Sequence, residues 1–327
     1  MRYLLPLVSK SPRFAAVIAA DANEALTLGQ CPGATEFVPI GVPGPRYAQD
    51  LLAKLQRFAP AIVVLGADEE ALDVAAMRDA FADQGFLVNV MDRPSLERFI
   101  DKGDLGDALQ QAILPHGRQI RVRTVEDARA AVRALSGPEG RVVMKRRRGR
   151  GRRGVFVVST HPAAVHPDLP PQITLDEVGA VWRELGEMPL VCEYIEGIAW
   201  TMDLLADRGK LVLSVGRRWQ APWRFPFPGQ TIKREAALER LAGDLTELFG
   251  LHGLLDVDLI QRADGSFVVL EINPRPSGSS VVSVAAGIPL YDMLANVLTG
   301  ATIPAVRIPD GLRLDLDALE LRQVAVQ

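Results

Sequence analysis

GLLDVDLIQRADGSFVVLEINPR, residues 253–275, consists of two alternating apolar and polar runs on either side of Asp264-Gly265. An Asp-Gly pair between such runs is a strong signal for a two-residue hairpin turn, and a tight turn fixes which residues stand opposite one another. With the turn centred there, Asp258 faces Glu271 and Asp256 faces Asn273. Side chains in a strand alternate with period two, so all four lie on one side of the hairpin. The other side carries Leu255, Val257, Leu259, Leu270 and Ile272, an apolar face for a core.

Directly opposed residues have Cβ atoms about 5 Å apart, so two carboxylates there repel each other unless positive charge lies between them. A hard cation such as Mg²⁺ meets that need, taking oxygen ligands from the protein and the rest of its shell from water and phosphate. Asn273 adds an amide oxygen, and Arg275, just beyond Pro274, offers a guanidinium to the same phosphate oxygens. Asp258, Glu271 and Asn273 are therefore the candidate metal ligands, with Mn²⁺ as an alternative ion. A solvent-facing strand pair with aligned acids is the plainer reading of an arbitrary hairpin; Asn273 and Arg275 weigh against it here.

A triphosphate calls for more cations, and VVMKRRRGRGRRGVFVV, residues 142–158, offers them. Lys145 ends one strand, while Gly149, Gly151 and Gly154 let backbone N–H groups turn toward an anion before the next strand begins. A basic patch for nucleic acid is the competing interpretation. Confinement of the arginine run between two strands favours a phosphate-covering flap.

Around these segments the chain is of ordinary globular make-up. Its 327 residues are 48% hydrophobic and 24% charged with a net charge of -3, which leaves no global attraction to nucleic acid or an anionic membrane. Residues 1–98 alternate short apolar runs (14–19, 37–40, 61–65, 86–90) with helical patterns (48–58, 69–84), the rhythm of βαβ units. No GxGxxG follows the first of these strands, so dinucleotide binding is not implied. The opening MRYLLPLVSK reads as a buried strand, too short for a signal peptide. The apolar stretch 281–298 is interrupted by Pro289 and Asp292, so it is not a membrane span. Cys31 and Cys192 lie far apart without metal spacing and read as inert packing, which fits a reducing cytoplasm. The histidines at 116, 161, 166 and 252 are too scattered for a zinc centre.

Helical patterns at 101–114, 125–135, 235–248 and 290–298 and strands at 141–144, 155–158, 190–194, 201–206 and 211–215 complete the outline, with 159–180 read as a loop before a further helix. In this order the segments resemble the ATP-grasp superfamily over nearly the whole chain, its carbamoyl-phosphate-synthetase-like and biotin-carboxylase-like members in particular. IDKGDLGDALQ (100–110) looks like the lysine-bearing helix start of those proteins, which implies ATP contacts for Lys102 and then Lys145. LVCEYIEG (190–197) is similar to their hinge, which implies Glu193, Tyr194 and Ile195 at the adenine edge, and Gly151 belongs to the implied flap. EINPRPSGSS (271–280) matches their metal-strand motif and implies metal roles for Glu271 and Asn273 and a phosphate or acyl-phosphate role for Arg275.

The resemblance implies a mixed α/β and α+β architecture. It divides into an N-terminal Rossmann-like pre-ATP-grasp domain (1–98), a small lobe with the phosphate flap (99–196) and a large lobe with the metal-binding hairpin (197–327). It implies an ATP- and Mg²⁺-dependent ligase that joins a small-molecule carboxylate to an amine or other nucleophile through an acyl phosphate, with Arg275 and Lys145 as catalytic candidates. A homodimer is an open alternative, and so is a non-catalytic ATP-binding regulatory module. Ala199 and Trp200 stand where many members carry an acidic ribose contact, which leaves Asp203 as the substitute. Arg217, Arg218 and Trp219 are candidates for the acceptor pocket, equally readable as an exposed strand end.

Overall fold

The computed structural model describes residues 4–23, 25–149, 154–161, 169–220, 229–317 and 320–324. In the N-terminal part, α1 (Leu5–Val8), β1 (Ile18–Asp21), β2 (Glu36–Pro39) and α2 (Tyr47–Leu55) are followed by β3 (Ala61–Val63), α3 (Asp68–Ala76), α4 (Arg78–Asp83), β4 (Phe86–Val88) and α5 (Arg93–Glu97). The parallel pairing expected from the βαβ rhythm is present as two separate pairs, β1 with β2 and β3 with β4, not as one continuous sheet among the described residues. Two local expectations are corrected. Residues 5–8, read as strand, form a helical turn, with Pro6 in its first turn where a missing N–H costs nothing. The helix expected over 69–84 breaks at Met77, whose φ of -115° and ψ of 13° separate α3 from α4.

Next come α6 (Lys102–Gln111), β5 (Gln119–Arg121), α7 (Val125–Leu135), β6 (Arg141–Lys145), β7 (Val155–Ser159), β8 (Gln172–Thr174), α8 (Val178–Leu185) and β9 (Leu190–Glu193). The five strands form one sheet in the order β5-β9-β6-β7-β8. Its apolar side packs on α7 and α8 through Val132, Leu135, Val142, Met144, Phe156, Val158 and Leu185, a core of its own. Helix α7 is opened by Thr124, whose hydroxyl caps the Asp127 amide. The loop expected at 159–180 holds the short strand β8.

The last part comprises β10 (Ile198–Asp207), β11 (Lys210–Trp219), β12 (Gln230–Ile232), α9 (Ala236–Phe249), β13 (Gly253–Gln261), β14 (Phe267–Asn273), α10 (Val281–Ala285), α11 (Leu290–Thr299), β15 (Leu312–Asp317) and β16 (Glu320–Val324). Seven strands pair antiparallel in the order β14-β13-β10-β11-β12-β15-β16. One face presents Trp200, Met202, Leu204, Leu255, Val257, Leu259 and Ile272. These share a single core with α9, with Leu105 and Leu109 of α6, and with Leu51, Val74, Phe81, Phe86 and Leu96 of the N-terminal part.

Asn89 fastens that junction. Buried to 2% exposure, its side chain pairs with Leu254 as a strand backbone would, donating to the carbonyl and accepting from the amide at 2.9 Å each. The neighbouring Gly253 has φ +95°, and a Cβ there would meet the Asn89 amide oxygen at 2.3 Å, so only glycine admits this contact.

His252, beside this junction, gives one measurable consequence. Burial holds its imidazole below the usual value of 6.5, outweighing the nearby Asp207 carboxylate. The unfolded chain then binds a proton that the folded chain resists, so stability is full above about pH 6.5 and falls as the pH drops below it. Urea unfolding midpoints of the parent and of His252→Gln, compared between pH 7.5 and 5, are expected to show a smaller acid loss in the variant. Equal losses would overturn the assignment.

Candidate functional site

The β13–β14 hairpin reaches the expected pairing by a different route. Asp258 stands opposite Glu271 and Asp256 opposite Asn273, but beyond Asp258 the register shifts, and Leu259 pairs with Val269 and Gln261 with Phe267. The turn is a three-residue loop: Arg262 and Ser266 close it at 2.9 Å, and Gly265 takes φ +85°. Such a loop displaces the register by one residue, and a bulge at Leu270 displaces it back. The Asp264 carboxylate, by accepting from both the amide and the hydroxyl of Ser266, selects that loop.

Two polar rows cross the sheet on the face opposite the large core. Glu271, Asp258, Thr201 and Arg217 are successive cross-strand partners, and Asn273, Asp256 and Asp203 form the row beside them. The Trp219 indole N–H donates to the Thr201 hydroxyl at 2.9 Å, and Thr201 donates to Asp258 Oδ1 at 3.1 Å, which fixes that carboxylate. Burial, with Asp256 and Glu271 adding their charge, pushes the Asp258 carboxyl well above the usual range. Burial pushes Asp256 up to about 7 against the pull of Arg217, with Asp203 adding to the rise. Burial works the same way on Glu271, yet Lys102 and Lys145 hold its carboxyl below the usual range. The corner is thus short of positive charge on its Asp258 side.

Lys102 occupies the middle of the site. Its Nζ lies 3.0 Å from Glu271 Oε2 and donates to the Gly149 carbonyl at 2.9 Å, joining β14 to the Gly-rich segment after β6. Asp101, the N-cap of α6, receives Arg147 at 3.0 Å and Arg148 at 3.5 Å, and Arg147 also lies 3.5 Å from Asp104. These two arginines are neutralised within the molecule, which weakens the reading of the run as a nucleic-acid patch. Lys145 and Val155 pair where β6 and β7 border the Gly-rich segment; Gly151, expected in the flap, lies outside the described residues.

Arg275 pairs with Asp68 at the start of α3, 2.9 Å from Nε to Oδ1, with both side chains nearly buried. Nothing in the sequence around Asp68 singles it out, because the contact spans two distant segments. Beside this pair a cavity of about 200 Å³ is lined by Asp68, Leu72, Phe99, Lys102, Glu271 and Asn273, among others.

The expected adenine edge lies where β9 leaves one sheet for the other. Gly197 passes so close to β13 that a Cβ would meet the Gln261 carbonyl at 2.2 Å. Glu193 spends its two carboxylate oxygens on Arg118 and Arg262, each at 2.8 Å, and the Arg141 guanidinium lies 4.7 Å from the Tyr194 ring centre. Ile195 reaches back toward Gly117. Burial pushes the Cys192 thiol up, in keeping with an inert packing role.

Several candidates fall elsewhere. Asp203 does not face a ribose: it is wholly buried, with Arg217 at 2.6 Å and the Ser283 hydroxyl at 2.5 Å. Arg217 is equally buried and cannot line an acceptor pocket; its guanidinium also donates to Gln230 at 2.9 Å and Ser279 at 2.5 Å. Trp200 points into the core against Phe267 because strand alternation sends it to the face opposite Thr201.

Residues 186–317, the segment holding both rows, match a family model described as ATP-grasp in the biosynthetic pathway with Ter operon. That segment belongs to the ATP-grasp superfamily. The chain is 26% identical over 162 residues to the carbamoyl phosphate synthase large chain of Brucella suis, a match covering 46% of this chain and 14% of that one. An arginine-specific large chain from Geobacillus stearothermophilus is 28% identical over 134 residues, covering 37% and 13%. In fold, the chain is similar to the biotin carboxylase of Campylobacter jejuni in its β-γ-ATP complex, with a TM-score of 0.69 at 17% identity over 93% of this chain and 70% of that one. It is also similar to the biotin carboxylase domain of a Hydrogenobacter thermophilus 2-oxoglutarate carboxylase bound to MgADP and bicarbonate, with a TM-score of 0.71 at 15% identity, covering 95% and 71%.

Among the described residues no group of three or more His, Cys, Asp or Glu is arranged to hold a metal. The donor set nevertheless fits a hard divalent ion: two opposed carboxylates and an amide carbonyl supply part of an oxygen shell, and water and phosphate supply the remainder. The Asp258 carboxylate, set opposite Glu271 with the Thr201 hydroxyl as its donor, is the feature that favours it.

Proposed function

We propose that the chain is an ATP-dependent ligase that activates a small-molecule carboxylate as an acyl phosphate and passes it to an amine or other nucleophile. The observation carrying this reading is the convergence of Asp258, Glu271, Lys102 and Arg275 at the end of β14, beside a cavity of about 200 Å³. A nucleotide between the two sheets would lie with its adenine against residues 193–195 and its phosphates under the flap.

Asp258, Glu271 and the Asn273 carbonyl would hold Mg²⁺, which when bound supplies Lewis-acid charge to the phosphoryl oxygens. Lys102 and Lys145 neutralise charge on the transferring group, and Arg275 stabilises it where the acyl phosphate forms. The flap, drawn down through Gly149 and the Asp101 clasp, keeps water from the activated carboxylate. The second substrate enters the cavity beside Asp68. These proposals extend to the cytoplasm as the place of action. Among the described residues no single helix is long and apolar enough to cross a membrane.

The test is phosphate release from ATP and Mg²⁺ across a panel of amino acids and small carboxylates; release dependent on one carboxylate supports the proposal. Tight nucleotide binding with no release from any of them supports the rival, a non-catalytic regulatory module. The ion pairs that engage Glu193 at the adenine edge favour that rival.

Lys145→Ala is expected to weaken ATP binding by about tenfold while leaving adenosine binding within about twofold. Isothermal titration with both ligands measures this. Equal losses would remove Lys145 from the phosphate site.

A further inference from the structure

Asp256 is a costly residue where it stands. It is 3% exposed, on the same face as Asp203 and Asp258, and one cation, Arg217, serves both it and Asp203. Buried ionic groups of this kind are often matched or bettered in stability by apolar residues of similar volume, so its presence calls for a further reason.

That reason lies one strand away. Asn273 Nδ2 donates to Asp256 Oδ2 at 3.1 Å and faces Glu271 Oε1 at 3.4 Å. With both amide hydrogens directed at carboxylates, the carbonyl oxygen is the group left for a ligand in the cavity that Asn273 lines. The flipped amide would aim its oxygen at those same carboxylates and its hydrogens at a cation, which is repulsive on both sides. Glu271 cannot secure the orientation alone, because a cation in the site draws on its oxygens; Asp256 has no such competing duty.

Arg217 keeps Asp256 in register. It is itself held by Asp203, Gln230 and Ser279, and it lies 3.7 Å from Asp256 Oδ1. The line Ser283, Asp203, Arg217, Asp256, Asn273 thus runs from α10 through the sheet to the metal corner.

We infer that Asp256 is a positioning residue, touching no substrate, that sets the Asn273 amide with its carbonyl oxygen toward the divalent ion, with Arg217 as its anchor. This rests on the proposed metal role of Asp258, Glu271 and Asn273. Partners that orient metal ligands are commonly worth about 10–100-fold in affinity.

The test uses the full chain with ADP and reads Mn²⁺ affinity by paramagnetic resonance, without turnover. Asp256→Asn, which offers an N–H to a flipped amide, is expected to bind Mn²⁺ about 10–100-fold more weakly, with metal-free ADP affinity unchanged. The exchange Asp256→Asn with Asn273→Asp restores a donor facing an acceptor and keeps the composition; it is expected to bind at least as tightly as the parent. That variant carries the test if the single substitution does not fold. Unchanged affinity in Asp256→Asn, or no recovery in the exchange, would overturn the inference. A parent chain that takes up no Mn²⁺ with ADP would overturn the metal reading itself and this inference with it.

Discussion

Glu271→Gln removes Mg²⁺-dependent phosphate release by roughly three orders of magnitude or more, while the thermal midpoint stays close to that of the parent. The substitution is isosteric, so the strand pairing with Asp258 survives. What is lost is the charge that draws a cation between the opposed side chains and that pairs with Lys102 at 3.0 Å. Lys102, released from Glu271, keeps its contact with the Gly149 carbonyl, so ATP binding without metal should fall only modestly. Rapid-quench measurement of the first turnover checks the prediction, because it separates chemistry from product release. A rate within tenfold of the parent would remove the metal corner from the reaction.

Arg217→Leu is the substitution with the largest expected effect on stability. It leaves Asp203 and Asp256 buried with no cation between them, and breaking a buried pair from one side costs about 3–5 kcal/mol. That is a large part of the roughly 5–15 kcal/mol that holds an ordinary domain together. The denaturant midpoint should fall with an unchanged slope. Adding Asp203→Asn should recover part of the loss, since the remaining carboxylate then has a neutral neighbour. A loss below about 1 kcal/mol, smaller than a typical buried polar defect, would mean that the two acids do not depend on the guanidinium.

The local signals in the sequence proved the most legible. The alternation in 253–275 placed Asp258 against Glu271, and the apolar face of the same hairpin proved to be core except at Leu270, where the bulge puts Val269 opposite Leu259 instead. The pairing came out as expected because two one-residue displacements cancel. The first, a three-residue loop, has a sequence cause in the capping of Ser266 by Asp264; the second, the bulge at Leu270, has no local mark.

What the sequence hid are contacts made by segments far apart in the chain. Asp68 meets Arg275, and Asn89 meets Leu254, across a junction that no periodicity describes. Arg217 next to Arg218 and Trp219 looks like a polar strand end. Its burial follows only from knowing that Thr201, Asp203 and Asp256 lie on its face and that Ser279 and Ser283 close over it. The helix start at Asp101 and Lys102 was legible, and the contact of Lys102 with Glu271 is what ties α6 to β14.

The Asn89 clasp has a mechanical corollary. Since the N-terminal part, α6 and the long sheet share one interior and are riveted together at Leu254 and Arg275, they act as a single anvil. The five-stranded sheet has an interior of its own and joins that body at Gly197, so it is expected to be the jaw. A ligand gripped between them would leave hydrogen exchange on the anvil nearly untouched and slow it along β6 and β7.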